Sequence, residues 1–213
     1  SAEKSQRLYQ DLRGEVKDGV EAHLDGLVEQ VWFEEGGRAS ERLTADHSEL
    51  DAALASYYRF GEAGAGSAKP ETWGTGVLSL GGVLASHSTY LATSPTQRGF
   101  MVRGKFLCTT PPPPPPGVGD RPEPGTTDTT RERYEMHVSS PSCAGCHVLM
   151  DPIGFGFESL DASGRYRSDE NGFPIDDSGA VVGLGTTEDI PFVGPVELAE
   201  ALAAAPVVSE CVT

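Results

Sequence analysis

Hydrophobic positions recur at spacings of three and four through the first part of the chain. Leu8, Leu12, Val16, Val20, Leu24, Leu27, Val28 and Val31 form one stripe with charged residues between them. That period predicts a long amphipathic helix, ending near Gly36-Gly37. A second helix fits Glu49 to Arg59, with Leu50, Leu54, Tyr57 and Tyr58 as its apolar positions and Asp46 or Ser48 as its cap. Gly61 to Gly66 is rich in Gly and Ala and reads as a flexible loop. No strand precedes it, so its glycines are not a phosphate-binding fingerprint. A third helix is predicted from about Leu78 to Leu91, with Leu80, Leu84, His87 and Leu91 on one face. Thr93-Ser94-Pro95 is a turn, and Arg98 to Cys108 is a mixed segment compatible with helix.

The periodicity then stops. Pro111 to Pro116 is a run of six prolines, which can only form polyproline II. Gly117 to Thr130 continues with Gly, Pro, Asp and Thr. A rigid strap between two halves is the preferred reading, and a docking motif for a proline-binding domain the other. Helical composition resumes from Thr129 to His137 and breaks at Pro141. Ser142 suits the cap of a short helix, which should stop near Met150 because Pro152 follows. Asp169 to Gly179 reads as turn, short strand, turn: a small β-hairpin. Val196 to Ala205 is Ala-rich and helical.

Composition changes this picture in two ways. Gly (26) and Pro (16) are high for 213 residues, so much of the chain should be irregular. The net charge is −16, and from Thr129 onward fourteen acidic residues face four basic ones. Such a surface repels phosphate backbones and anionic lipids, which argues against nucleic acid as a partner. It would steer a redox partner with a basic face, although simple solubility also explains it. No apolar run approaches a membrane span.

The chemistry lies in Cys143-Ala144-Gly145-Cys146-His147. Cys-x-x-Cys-His is the attachment signature of c-type haem. The thiols add across the porphyrin vinyl groups, and the adjacent imidazole becomes the proximal iron ligand. A thioredoxin-like pair would want a βαβ context, and a zinc site a second ligand pair. Attachment of haem takes place outside the cytoplasm, so the chain is expected in the periplasm, at the cell surface or secreted. That compartment permits disulfides. Cys108 and Cys211 are the cysteines left over, and either bridge each other or remain buried thiols. The fold expected is mainly α: a helical domain over 1–110, a Pro-rich strap over 111–128, and a small cytochrome c-like module with a short β-hairpin over 129–213.

Several segments stand in a familiar order. They are Thr93-Ser-Pro95, Arg98-Gly99, Leu107-Cys108, the proline run, Thr130-Arg-Glu-Arg133, His137, and Cys143 to His147. Met150-Asp-Pro152, Gly154-Phe-Gly-Phe-Glu158 and Asp161 to Arg165 follow. Over roughly residues 40 to 213 the chain resembles the C-terminal half of large secreted bacterial proteins with a terminal cytochrome c-like module, known chiefly as families of uncharacterised domains. The resemblance implies haem at Cys143, Cys146 and His147, export, and a larger precursor whose remainder, or another subunit, is a partner. Members continue past the position of Cys211 with a further helix, so a fragment or processed product is expected.

The sixth iron ligand would decide function. Met150 follows His147 too closely to cross the haem plane, and packing against the porphyrin edge is its expected role. His137 is the first candidate, because the break at Pro141 could fold it over the distal face and the family pattern also has His there. His87 is the second; Met101, Met136 and an open position follow. The bland readings are a hydrogen bond for His137 and a core position for His87. Arg165 and Arg167 suit haem propionates or, equally, local carboxylates. Asp169, Asn171, Asp176 and Asp177 around Gly172 resemble a calcium loop only weakly, so turn chemistry is the default. The chain contains neither G-x-S-x-G nor H-E-x-x-H. A monohaem cytochrome relaying single electrons is therefore the first expectation. A haem enzyme of peroxidase or oxygenase type, or a module merely braced by haem, are the alternatives.

Overall fold

The computed structural model describes residues 10, 12–34, 37–46, 50, 52–58, 73–113, 122–139, 141–184 and 188–211. The protein is mainly helical. The first helix, α1 (Glu15–Glu29), continues into a π-helical turn, Gln30–Glu34. Leu27 and Val31 are buried with Leu24 packed at their edge, and Val16 and Val20 pack against the larger core. Leu8 lies outside the described residues, as do His47, Ser48 and the loop Gly61 to Gly66. His23 is buried, whereas its charged neighbours predict a surface position. It stands four residues before Leu27 on the buried stripe and stacks on Trp73 at 6.1 Å.

Short helices follow: α2 (Ala39–Thr44) and α3 (Ala52–Tyr57), the latter shorter than the expected Glu49 to Arg59. The single helix expected from Leu78 to Leu91 is instead a 3₁₀ turn, Val77–Ser79, and α4 (Gly81–Ser86). The cause is local competition. Ser86 and Ser88 hydroxyls and the His87 ring hydrogen-bond back to the carbonyls of Val83 and Leu84, and the helix ends there.

Next come α5 (Pro95–Phe106), α6 (Thr130–His137) and α7 (Pro141–Phe155). Ser94 caps α5, with Pro95 in its first turn. Thr129 and Glu132 form a reciprocal capping box on α6. The expected stop near Met150 does not occur, and α7 runs through Pro152 for another turn. Tertiary packing overrides the proline. A Cβ on Gly99 would lie 1.9 Å from the Met150 carbonyl oxygen, and one on Gly154 2.0 Å from that of Pro95. Backbones in such contact hold both turns of α7 around Pro152 in place.

The predicted hairpin is β1 (Asp169–Glu170) with β2 (Phe173–Pro174). Asn171 and Gly172 have φ of 56° and 84°, the positive pair that a two-residue hairpin turn needs. A second hairpin, unanticipated, pairs β3 (Ser178–Val181) with β4 (Ile190–Val193) in antiparallel register from Ser178↔Val193 to Val181↔Ile190. The Ala-rich segment forms α8 (Gly194–Ala204), and α9 (Pro206–Cys211) follows.

A single hydrophobic cluster draws Leu43, Leu54, Tyr58 and Trp73 together with Val102, Ile153, Phe157, Phe192 and Leu198. Residues from both sides of the proline strap therefore contribute to this cluster. Of the strap, Pro111 is buried and Pro112 and Pro113 are exposed. Cys108 and Cys211 are disulfide-bonded, with their Cα atoms 5.5 Å apart, and tie the end of α5 to the end of α9. Cys108 adopts φ 48°, the left-handed position just past a helix end that glycine usually fills.

Candidate haem-attachment site

Cys143, Cys146 and His147 occupy the first two turns of α7. All three are half-buried, and neither cysteine is in a disulfide. At 100° per residue they fall within about 100° of the helix surface, one contiguous flank. His147 forms its border. On its other side Ala144, Val148, Asp151 and Phe155 line a groove of about 470 Å³. Glu135 and Val138 at the end of α6, and Ser178 to Ala180 of β3, form the facing wall.

Proton accounting fixes the His147 tautomer. The Thr96 hydroxyl, from α5, donates its only hydrogen to Asp151 Oδ1 at 2.7 Å. Asp151 Oδ2 stands 2.8 Å from His147 Nδ1, and Thr96 Oγ1 3.3 Å from the same nitrogen. Both oxygens can only accept there, so Nδ1 carries the hydrogen and Nε2 is the basic nitrogen. The hydrogen bond that Nδ1 donates to Asp151, opposed by partial burial, holds the His147 pKa above the ordinary histidine value. Asp151 is itself only 3% exposed.

The chemistry of this donor set fits a c-type haem. Two thiols lie one turn apart on one flank, and the imidazole beside them has its Nδ1 engaged, as a ligand through Nε2 requires. Apolar surface adjoins: Val148, which lines the groove with His147, is 54% exposed.

Met150, Arg165 and Arg167 do not line the groove. Met150 is buried, and its backbone carbonyl is what meets α5 at Gly99. Arg165 is ion-paired with Asp161 at 2.8 Å. Arg167 pairs with Glu158 at 2.8 Å and lies 3.7 Å from Glu170. Neither guanidinium lines the groove, and both serve a buried polar frame. In that frame fully buried Arg98 donates to the carbonyls of Phe157, Leu160 and Asp161. Glu170 accepts from Thr130 and Arg133. Burial pushes the Glu158 carboxyl up despite Arg167 and Arg98. Arg167, Thr130 and Arg133 outweigh burial at Glu170 and hold it down.

His87 caps α4 and bonds to Val83. Met101 is in the core and Met136 on α6 is 65% exposed. His137 ends α6, but its side chain lies outside the described residues. Asp176 accepts from the backbone and hydroxyl of Ser178, and Asn171 donates to the carbonyls of Gly125 and Asp128. The Asp176 bonds are those of an ordinary turn, and the Asn171 bonds tie the first hairpin to the segment before α6.

Asp151 and Thr96 are the participants that sequence reasoning missed. Asp151 stands four residues after His147, a spacing that would have revealed it, had the helix not been ended at Met150. Thr96 is 51 residues away and left no local signal.

A family model described as PSCyt3, protein of unknown function (DUF1588), matches residues 74–170. That span includes Cys143, Cys146, His147, Thr96, Asp151 and most of the buried frame. The name hints at a cytochrome-related domain, and the chain is similar to that family over this stretch. Neither a curated protein nor a solved structure matches the chain.

Proposed function

We propose that the chain is a monohaem c-type cytochrome module that relays single electrons outside the cytoplasm. The observation that carries this reading is the flank of Cys143, Cys146 and His147, with His147 Nδ1 bonded to Asp151. The thiols would hold the porphyrin covalently, and His147 would supply one axial nitrogen. When bound, the iron supplies a one-electron couple. The chain's part is to fix the imidazole, limit water around it and present an acidic surface to a basic redox partner. The Cys108–Cys211 bridge suits an oxidising compartment. His137 is the first candidate for the opposite axial position, because α6 ends beside the groove.

The His147–Asp151 pair also favours a second reading, a haem enzyme with an open distal position. A carboxylate partner makes an axial imidazole more electron-donating, which suits catalytic haems too. Expression with haem-maturation machinery, followed by visible spectra with and without CO and peroxide, decides between them. Low-spin haem indifferent to both supports electron relay. Rapid CO binding and peroxide turnover would support the enzyme, and absence of covalent haem overturns both. His137→Ala should turn low-spin haem high-spin and open it to CO. An unchanged spectrum removes His137 from the iron.

A further inference from the structure

We infer that Asp151, itself held by Thr96, is the positioning residue of the axial imidazole and biases the site toward its oxidised form. The inference rests on the haem reading above and deepens it. Three side chains from two helices carry it: Thr96 on α5, and His147 and Asp151 on α7, joined by contacts of 2.7, 2.8 and 3.3 Å.

The carboxylate is not an incidental surface acid. It is 3% exposed, both its oxygens are used, and among the described residues no Lys or Arg is bonded to it. Among the described residues its ionic partner is the His147 ring. An anionic acceptor in so dry a place polarises the Nδ1–H bond and makes Nε2 a stronger donor. Stronger donation favours ferric over ferrous iron, so the midpoint potential falls. Thr96 adds direction. Its hydrogen bond to Oδ1 fixes the carboxylate plane, so Oδ2 stays aimed at the ring. The close approach at Gly99 holds α5 against α7, so that Thr96 keeps its reach.

The position of α7 around Pro152 belongs to the same device. Had the helix ended near Met150, Asp151 would have left the i, i+4 relation that sets it beside His147. Continuation through the proline is what brings the carboxylate to the imidazole.

The test uses the haem-loaded protein and reads covalent haem content and midpoint potential separately. Asp151→Asn keeps an acceptor but removes the charge, and should load haem with an upward-shifted potential. Asp151→Glu restores the charge and should return most of the shift. Thr96→Val should shift the potential the same way, but less. An Asp151→Asn holoprotein with the wild-type potential overturns the inference while leaving the haem reading intact. A wild-type chain without covalent haem overturns the haem reading instead. Should the Asp151 variants fail to fold, the wild-type holoprotein still decides. The axial ring N–H should exchange slowly with deuterium, as a hydrogen bond to a buried carboxylate demands, and rapid exchange overturns the assignment.

Discussion

The two ends of α7 are built for opposite purposes. Its first two turns present Cys143, Cys146 and His147 half-buried, with Val148 open to solvent. Its last turns bury Met150, Ile153 and Phe155 and lead into a loop whose polar atoms are gathered by Arg98. Chemistry sits where packing is loose, and the frame sits where backbones touch. In this structure Met150 is buried at the closed end, and Arg165 and Arg167 are ion-paired in the frame, although all three are close in sequence to the cysteines. Proximity along a helix says little about function once the helix passes from open surface into the core.

The sharpest way to break the comparison is at Arg98. Arg98→Ala leaves the carbonyls of Phe157, Leu160 and Asp161 without their buried donor. Removing one partner from a buried charged network costs about 3–5 kcal/mol, a large share of a domain's typical stability. Chemical denaturation should show a midpoint drop of that size or an unfolded chain. A loss below about 1 kcal/mol would mean that the frame is not what orders this end of α7.

The Cys108–Cys211 bridge ranks next. It closes a loop across 103 residues of separation. Disulfides of that span stabilise by about 2–4 kcal/mol, with about 4.7 kcal/mol as the chain-entropy ceiling. Cys108→Ser with Cys211→Ser should lower the denaturation midpoint accordingly. Mass analysis of the wild-type chain, alkylated before reduction, should show two fewer reactive thiols than after reduction.

Acid should act on the frame before the open end. Glu170 and Asp161 are held below the usual carboxylate range: burial raises each, and Arg167 with Thr130 at Glu170, or Arg165 with Ser163 at Asp161, outweighs it. A depressed folded pKa contributes stability that is fully present above the unfolded value. It is lost as pH falls through the folded value. The protein should therefore weaken below about pH 4. Glu158, raised by burial, works the other way, contributing stability that fades as pH rises through its folded value. Glu170→Gln should cost about 1.5–3 kcal/mol at pH 7, where its charged hydrogen bonds are intact, and flatten the acid-side slope. An unchanged slope would assign the acid response elsewhere.

The sequence showed these regions unequally. The Cys143-to-His147 motif was legible because the chemistry it points to needs adjacent residues in a fixed order. The α1 stripe, the helical segment from Thr129 to His137 and the Asn171-Gly172 hairpin were legible because each is set by local spacing and composition. Continuation of α7 through Pro152 was not, since the contacts that enforce it come from Pro95 and Gly99 on α5. With that turn went Asp151. The β3–β4 hairpin was missed for a related reason. Its strands are short, Gly179 lies in one of them, and Gly156 and Gly179 admit the Phe192 ring by close approach rather than by any alternation in sequence.

The smallest expected effect is the most diagnostic. Cys143→Ser and Cys146→Ser each replace a half-buried thiol on the open flank by a hydroxyl of nearly the same size. Neither side chain belongs to the hydrophobic core, and neither closes a disulfide. In the haem-free chain each change should therefore stay within about ±0.5 kcal/mol, as surface substitutions do. The same substitutions should abolish double covalent attachment, read as haem remaining with the protein after acid–acetone extraction. A stability loss comparable to that of Arg98→Ala would show that the thiols pack into the frame, and the contrast between the two ends of α7 would fail. A negligible loss with loss of attachment would show that this end of the helix is kept for its chemistry rather than for holding the fold.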